Sequence, residues 1–131
     1  MDIRNHKKRG QWAELRFMAK ATELGFQIAE PRGDTAQYDV VLDLGGRFIS
    51  VQIKSTFFRA SNLKPGNFVA SLFHVNGPNH RYEQSDFDYL AVYCIPIDVW
   101  YIIPSEAASR KHAVSPKTCQ APKNTQIPLT Q

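Results

Sequence analysis

Two adjacent glycines, Gly45-Gly46, sit between Tyr38-Asp39-Val40-Val41-Leu42-Asp43-Leu44 and Arg47-Phe48-Ile49-Ser50-Val51-Gln52-Ile53-Lys54. Both flanks are rich in β-branched and aromatic residues, and such a glycine pair is a strong hairpin signal. If the glycines form a two-residue loop, Leu44 pairs with Arg47. Asp39 then stands opposite Gln52, and Lys54 follows two residues later on the same face. A four-residue loop keeps that register, whereas an odd-length loop or a bulge splits the set. The other face carries Val40, Leu42, Ile49, Val51 and Ile53, all apolar, and is a core face.

An acid, an amide and an amine are thus expected together at one end of the hairpin. Polar groups in such an apolar setting need partners. Two readings fit. Asp39 and Lys54 can form a satisfied ion pair. Alternatively, Asp39 supplies a carboxylate and Gln52 a carbonyl oxygen to a metal, with the Ile53 backbone carbonyl nearby. Hard oxygen donors suit Mg²⁺, which leaves positions for a phosphate substrate. Lys54 would then orient the attacking water or hold the developing negative charge. A further carboxylate, Glu14, precedes Phe17 and Met18 and borders an apolar helical stripe. It reads equally as a half-solvated surface residue.

The rest of the chain supports an α/β organisation. Residues 8–25 read as a helix with Trp12, Leu15, Met18 and Ala19 near one face, flanked by Phe17, Ala21 and Leu24, and Gly25 as the stop. Residues 26–30 read as a short strand ended by Pro31. Residues 67–75 read as a third strand of the hairpin group and 76–80 as a loop. Residues 87–95 read as a buried strand, and Pro96-Ile97-Asp98 turns the chain into a strand over 99–103. Ser105 is expected to cap a following helix. A single domain is expected over 1–114, with a polar, proline-punctuated tail over 115–131 that reads as poorly ordered or partner-dependent.

Composition narrows the class. The chain has 131 residues, 43% hydrophobic and 21% charged, with net charge +4. That length allows one domain, and no apolar run approaches a membrane span of about 20 residues. No apolar segment follows the basic start, so a secretory leader is not expected and a cytoplasmic home is. Cys94 and Cys119 make no disulfide framework; Cys94 reads as a buried thiol. The histidines are scattered, which disfavours a structural zinc site. Residues 1–106 carry 12 basic and 12 acidic side chains, so the excess lies in the last 25 residues. Charge alone therefore does not select a polyanion partner.

The ordered set of Glu14 on a helix, Asp39 on a strand and Gln52-Ile53-Lys54 on the next resembles the PD-(D/E)XK nuclease superfamily, also called restriction-endonuclease-like. The stretch Asp86-Phe87-Asp88-Tyr89-Leu90-Ala91-Val92-Tyr93, followed by Val99-Trp100-Tyr101-Ile102-Ile103-Pro104, resembles a small branch that includes an intron-encoded homing endonuclease. The resemblance spans about residues 7–106. Tyr38 stands where the family name has proline, and Gln52 where it has an acid. The glutamine removes one negative charge from the metal site.

The resemblance implies an αβββαβ core around a mixed sheet flanked by helices, and Mg²⁺-dependent hydrolysis of DNA phosphodiester bonds, with Mn²⁺ as a substitute. Asp39 and Gln52 would hold the metal, Lys54 would position the attacking water, and Glu14 would hold a second metal or a bridging water. Ser55 and Thr56 would contact the phosphate backbone, and Lys7, Lys8 and Arg9 a flanking phosphate. Cutting both strands would favour a homodimer or higher homo-oligomer. Trp100 and Tyr101 are candidates for an interface, although core packing is the stronger expectation. A catalytically inactive nuclease-fold protein that binds or scaffolds nucleic acid is the alternative, kept open by Gln52. An RNA-directed or junction-resolving nuclease would differ only in substrate.

Overall fold

A computed structural model describes residues 4–57 and 85–108, with residues 2 and 83 and the backbone of 70–71 and 113–114. The order is α1 (His6–Glu23), β1 (Gln27–Ala29), β2 (Val40–Asp43), β3 (Phe48–Thr56), β4 (Ala70–Ser71), β5 (Tyr89–Cys94), β6 (Val99–Pro104), α2 (Ser105–Ala108) and β7 (Ala113–Val114).

Helix α1 begins where Asn5 caps it, its side chain accepting from the Lys8 amide at 3.1 Å. It ends in a Schellman arrangement: the Gly25 amide donates to Thr22 O and the Phe26 amide to Ala21 O. Gly25 has φ +92°, a conformation that favours glycine. The buried line of α1 is Ala13, Phe17 and Ala21, with Trp12 and Met18 packed beside it. This corrects the expected helix face. Leu15 is 62% exposed and Ala19 is also exposed. The two small alanines at i and i+8 let the helix lie close to the sheet around Phe17, a role that hydrophobicity alone does not reveal.

The hairpin has the register read from the glycine pair. Val40 faces Val51, Val41 faces Ser50, Leu42 faces Ile49 and Asp43 faces Phe48. Gly45 and Gly46 both have positive φ, the Leu44 amide donates to Arg47 O, and Asp43 Oδ1 accepts from the Gly45 amide.

The main sheet runs β1-β2-β3-β5-β6 and is mixed: β3 pairs antiparallel with β2 and parallel with β5. The parallel join is pinned at its start. Asp88 Oδ2 accepts from the Ser50 amide at 2.9 Å and lies 3.3 Å from Ser50 Oγ, while the Asp88 amide donates to Ser50. The Asp88 carbonyl also takes the Ser105 amide, so Ser105 stands as the first residue of α2 rather than as its cap. Between β5 and β6 a 3₁₀ turn over Ile95–Ile97 ends at Asp98, which has φ +51°.

The described part of the expected 67–75 strand does not join this sheet. Ala70–Ser71 pairs antiparallel with Ala113–Val114 in a separate two-stranded sheet. That partner is too distant in sequence for local pattern to signal it. The loop expected at 76–80, the helix that the αβββαβ order puts between β3 and β5, Cys119 and the 115–131 tail lie outside the described residues.

Two apolar clusters back the sheet. One joins Ala13, Phe17 and Ala21 of α1 to Val40, Val51, Ile53, Ala91, Tyr93 and Trp100, with Leu42 and Ile49 against it, as the alternation predicts. The other holds Phe87, Leu90, Val92, Ile103 and Ala108. Trp100 is 4% exposed, stacks on Tyr93 and meets Phe17 edge-on. It is therefore a core residue, not an interface residue. Cys94 is a buried free thiol.

Candidate active site

Asp39 lies just outside the β2–β3 ladder, which stops at Val40–Val51. Its amide donates to Val51 O, and its carboxylate Oδ2 accepts from the Ile53 amide at 2.7 Å. The side chain thus supplies the acceptor that a continuing β2 strand would have supplied. It bridges past Gln52 instead of simply opposing it. One oxygen is held by β3, which fixes the direction of the other.

Gln52 and Lys54 lie in register with Leu90 and Val92 of β5 and share their face. Those two neighbours are buried, and Gln52 itself is only 8% exposed. Lys54 is half-buried. Burial pushes the Lys54 ammonium below its ordinary range, opposed by the charges of Asp39 and Glu14. Burial likewise pushes the Asp39 carboxyl up, opposed by the Ile53 hydrogen bond and by Lys54. A simple satisfied ion pair would shift each group the other way. Desolvation outweighs their mutual attraction here.

Glu14 borders the α1 stripe and is half-buried. Burial first, and then the negative charges of Asp39 and Glu30, push its carboxyl up to about 7, with Lys54 opposing. Glu14, Asp39 and Lys54 therefore form one electrostatic unit drawn from α1, the start of β2 and β3. Glu30 joins this neighbourhood and was not singled out by sequence. Its signal was the alternation Phe26, Ile28, Glu30, whose first two members pack toward α1. Gln37 Oε1, two residues before Asp39, is buried with no hydrogen-bond partner among the described residues.

The basic residues are set at one end of this unit. Lys7 and Lys8 are exposed on the first turn of α1. Arg9 is half-buried, lies 3.0 Å from His6 Nδ1 and sits 4.7 Å over the Phe57 ring. Phe57 follows β3 directly, so the turn is held beside the strand end that carries Ser55 and Thr56. Thr56 is 4% exposed, whereas Ser55 is half-buried and is the more accessible hydroxyl.

The donors fit a hard divalent cation in kind: two carboxylates, both raised by burial, and an amide oxygen on Gln52. Among the described residues no group of three or more His, Cys, Asp or Glu side chains could hold a metal. An acid in place of Gln52 would have been the natural third member.

Helix α1 packed against a mixed five-stranded sheet, with these groups near the strand ends, is the restriction-endonuclease-like fold. The PD-(D/E)XK endonuclease family model matches residues 4–128, and the chain belongs to that family. Solved structures that are similar include the following two. The bacterial homing endonuclease I-Ssp6803I aligns with a TM-score of 0.67 at 26% identity, over 83% of this chain and 72% of that one. Hjc, a Holliday junction resolvase from the archaeal hyperthermophile Archaeoglobus fulgidus, shares the fold with a TM-score of 0.54 at 15% identity, over 84% of this chain and 86% of that one. No curated protein matches. Among the described residues no helix is long and apolar enough to cross a membrane.

Proposed function

We propose that the chain is a metal-dependent endonuclease that hydrolyses DNA phosphodiester bonds. The observation that carries this reading is the buried coupling of Asp39, Glu14 and Lys54 in a member of an endonuclease family. Each of the three is pushed toward its neutral form. A divalent cation removes that penalty for the two carboxylates, because it supplies the positive charge that burial has made scarce.

Asp39 and Gln52 hold Mg²⁺, or Mn²⁺ in its place, with Glu14 completing the set from the helix. When bound, the cation neutralises phosphate charge and makes water a better nucleophile. The Ile53 amide holds Asp39 Oδ2, so the carboxylate would be presented to the cation in a fixed orientation. Lys54 orients the attacking water and stabilises the charge that develops on the phosphate. The nearby acids keep its ammonium protonated against the pull of burial. Ser55 and Thr56 contact the phosphate backbone at the end of β3. Lys7, Lys8 and Arg9 contact a flanking phosphate; Arg9 lies about 7.5 Å of helix before Glu14, roughly one phosphate step. One such site cuts one strand, so a homodimer or higher homo-oligomer serves duplex cleavage. Residues 1–114 form the nuclease domain, and 115–131 a separate polar tail, in a cytoplasmic protein.

The test is cleavage of supercoiled plasmid with Mg²⁺ or Mn²⁺. Wild type is expected to nick or cut it, and Asp39→Ala to lose about a thousandfold, equivalent to roughly 4 kcal/mol of transition-state stabilisation. Lys54→Ala is expected to bind DNA and fail to cleave. Gln52 favours the second reading, a nuclease fold that binds nucleic acid without cutting it. That reading is supported if wild type and Asp39→Ala give the same metal-independent background while both retain DNA.

A further inference from the structure

Strand β3 changes partner at one residue. Its pairing with β2 covers Phe48 to Val51, and its parallel pairing with β5 covers Val51 to Thr56, so Val51 alone belongs to both. Gln52 is the next residue, and Lys54 follows on the same face. A carboxylate steadies β3 on either side of this handover. From the β2 side, Asp39 Oδ2 accepts from the Ile53 amide at 2.7 Å. From the β5 side, Asp88 Oδ2 accepts from the Ser50 amide at 2.9 Å. The first aspartate belongs to the candidate site, and the second stands outside it.

The Asp88 contact is reciprocal. Its own amide donates to Ser50 Oγ and to Ser50 O, each at 3.0 Å. Each residue's side chain thus takes the other's amide. The need for such a clamp follows from topology. The Gly45-Gly46 turn sets the register of β2 on β3. Residues 57–88 separate β3 from β5, and a parallel join cannot be set by a tight turn. The clamp lies one residue pair before the parallel ladder begins. Beyond it Gln52 stands opposite Leu90 and Lys54 opposite Val92. Asp88 is exposed and belongs to neither apolar cluster, so a change there leaves both intact.

We propose that Asp88 is a positioning residue for cleavage: its hold on Ser50 fixes the half of β3 that carries Gln52 and Lys54 relative to Asp39. This inference rests on the nuclease reading, since it takes Asp39, Gln52 and Lys54 as the groups that act. A displacement of about 1 Å in such a site is enough to cost up to about a hundredfold in rate.

The experiment separates shape from charge at position 88. It reads steady-state cleavage of plasmid by the full chain with Mn²⁺, at a temperature where melting profiles show every variant folded. Asp88→Asn keeps an oxygen within reach of the Ser50 amide and loses the charge. Asp88→Glu keeps the charge and lengthens the arm by a methylene. Ser50→Ala removes the hydroxyl half of the clamp. We expect kcat within about twofold of wild type in Asp88→Asn and about tenfold lower in Asp88→Glu and in Ser50→Ala, with KM within about twofold throughout. Arg16→Ala, which removes an exposed ion pair, controls for lost stability and should keep the wild-type kcat. Asp88→Asn losing as much as Asp88→Glu would overturn the proposal, because the charge would then matter more than the hold on Ser50. Wild-type kcat in Asp88→Glu or in Ser50→Ala would also overturn it, and either variant carries the test if the other does not fold. So would an equal loss in Arg16→Ala. If Asp39→Ala abolishes cleavage and Asp88→Glu cuts as wild type does, the nuclease reading stands and this inference falls. If wild type does not cut, both fall.

Discussion

Two of the places where a carboxylate meets a cation among the described residues behave in opposite ways. In the first, Asp98 Oδ1 accepts from Arg16 at 3.3 Å and from the Tyr93 hydroxyl at 2.5 Å. The Arg16 guanidinium lies over the rings of Trp12 and Tyr93. Arg16 and Asp98 are both substantially solvated, at 43% and 66% side-chain exposure. In the second, Asp39, Glu14 and Lys54 are drawn away from water, and burial is the leading cause of every shift. The first cluster ties α1 to the β5–β6 turn. The second holds charge where the chain alone compensates it poorly. The difference teaches that an acid near a base is not a site in itself; the site is where desolvation exceeds pairing.

The contrast breaks most visibly at Asp39. Asp39→Asn keeps an acceptor for the Ile53 amide and removes the charge. Cleavage is expected to fall about a thousandfold, while the metal-free chain melts higher, because the folded state favours the neutral form. Plasmid assays and thermal melts of one preparation read both. A fall in both quantities would make Asp39 a structural residue and erase the distinction.

Phe17 tests the packing that holds Glu14 in place. Phe17→Ala removes a core ring that meets Trp100 at 5.5 Å and is expected to cost about 3–5 kcal/mol in denaturant unfolding.

The pH response is next. Glu14 rises from an ordinary 4.5 to about 7 in the folded chain. Folded protein thus binds that proton more tightly than unfolded protein does. The resulting stability is complete below about 4.5 and is lost as pH rises through about 7. Melting of the metal-free wild type should decline across that window more than melting of Glu14→Gln, and Mg²⁺ should flatten the decline. Cleavage should rise through the same window as Glu14 ionises.

Arg16→Ala gives the smallest change. Losing an exposed ion pair and its ring contacts should cost about 1 kcal/mol and leave cleavage intact. A large loss of cleavage would mean that the Arg16–Asp98 cluster belongs to the site.

Much of the hairpin was legible because a glycine pair fixes both the turn and the register, and register fixes the shared face of Gln52 and Lys54. The local departure at Asp39 was not legible. It depends on a side chain replacing a ladder acceptor, which a period-two pattern does not encode. The helix face was misread because Leu15 is a stronger hydrophobic signal than Ala13 or Ala21, yet close approach to the sheet selects the alanines. Glu30 escaped notice because its partner, Glu14, lies across a packed layer. The pairing of Ala70–Ser71 with Ala113–Val114 escaped for the same reason: long-range contacts leave no local period.

The most direct measurement is the anomalous scattering of Mn²⁺ in crystals of the wild-type chain. The account predicts a peak bounded by the Glu14 and Asp39 carboxylates, with oxygen distances of about 2.0–2.2 Å, and none at Asp98. A peak at Asp98 would contradict the account. So would the absence of one between Glu14 and Asp39 in crystals whose dissolved protein cuts plasmid with Mn²⁺.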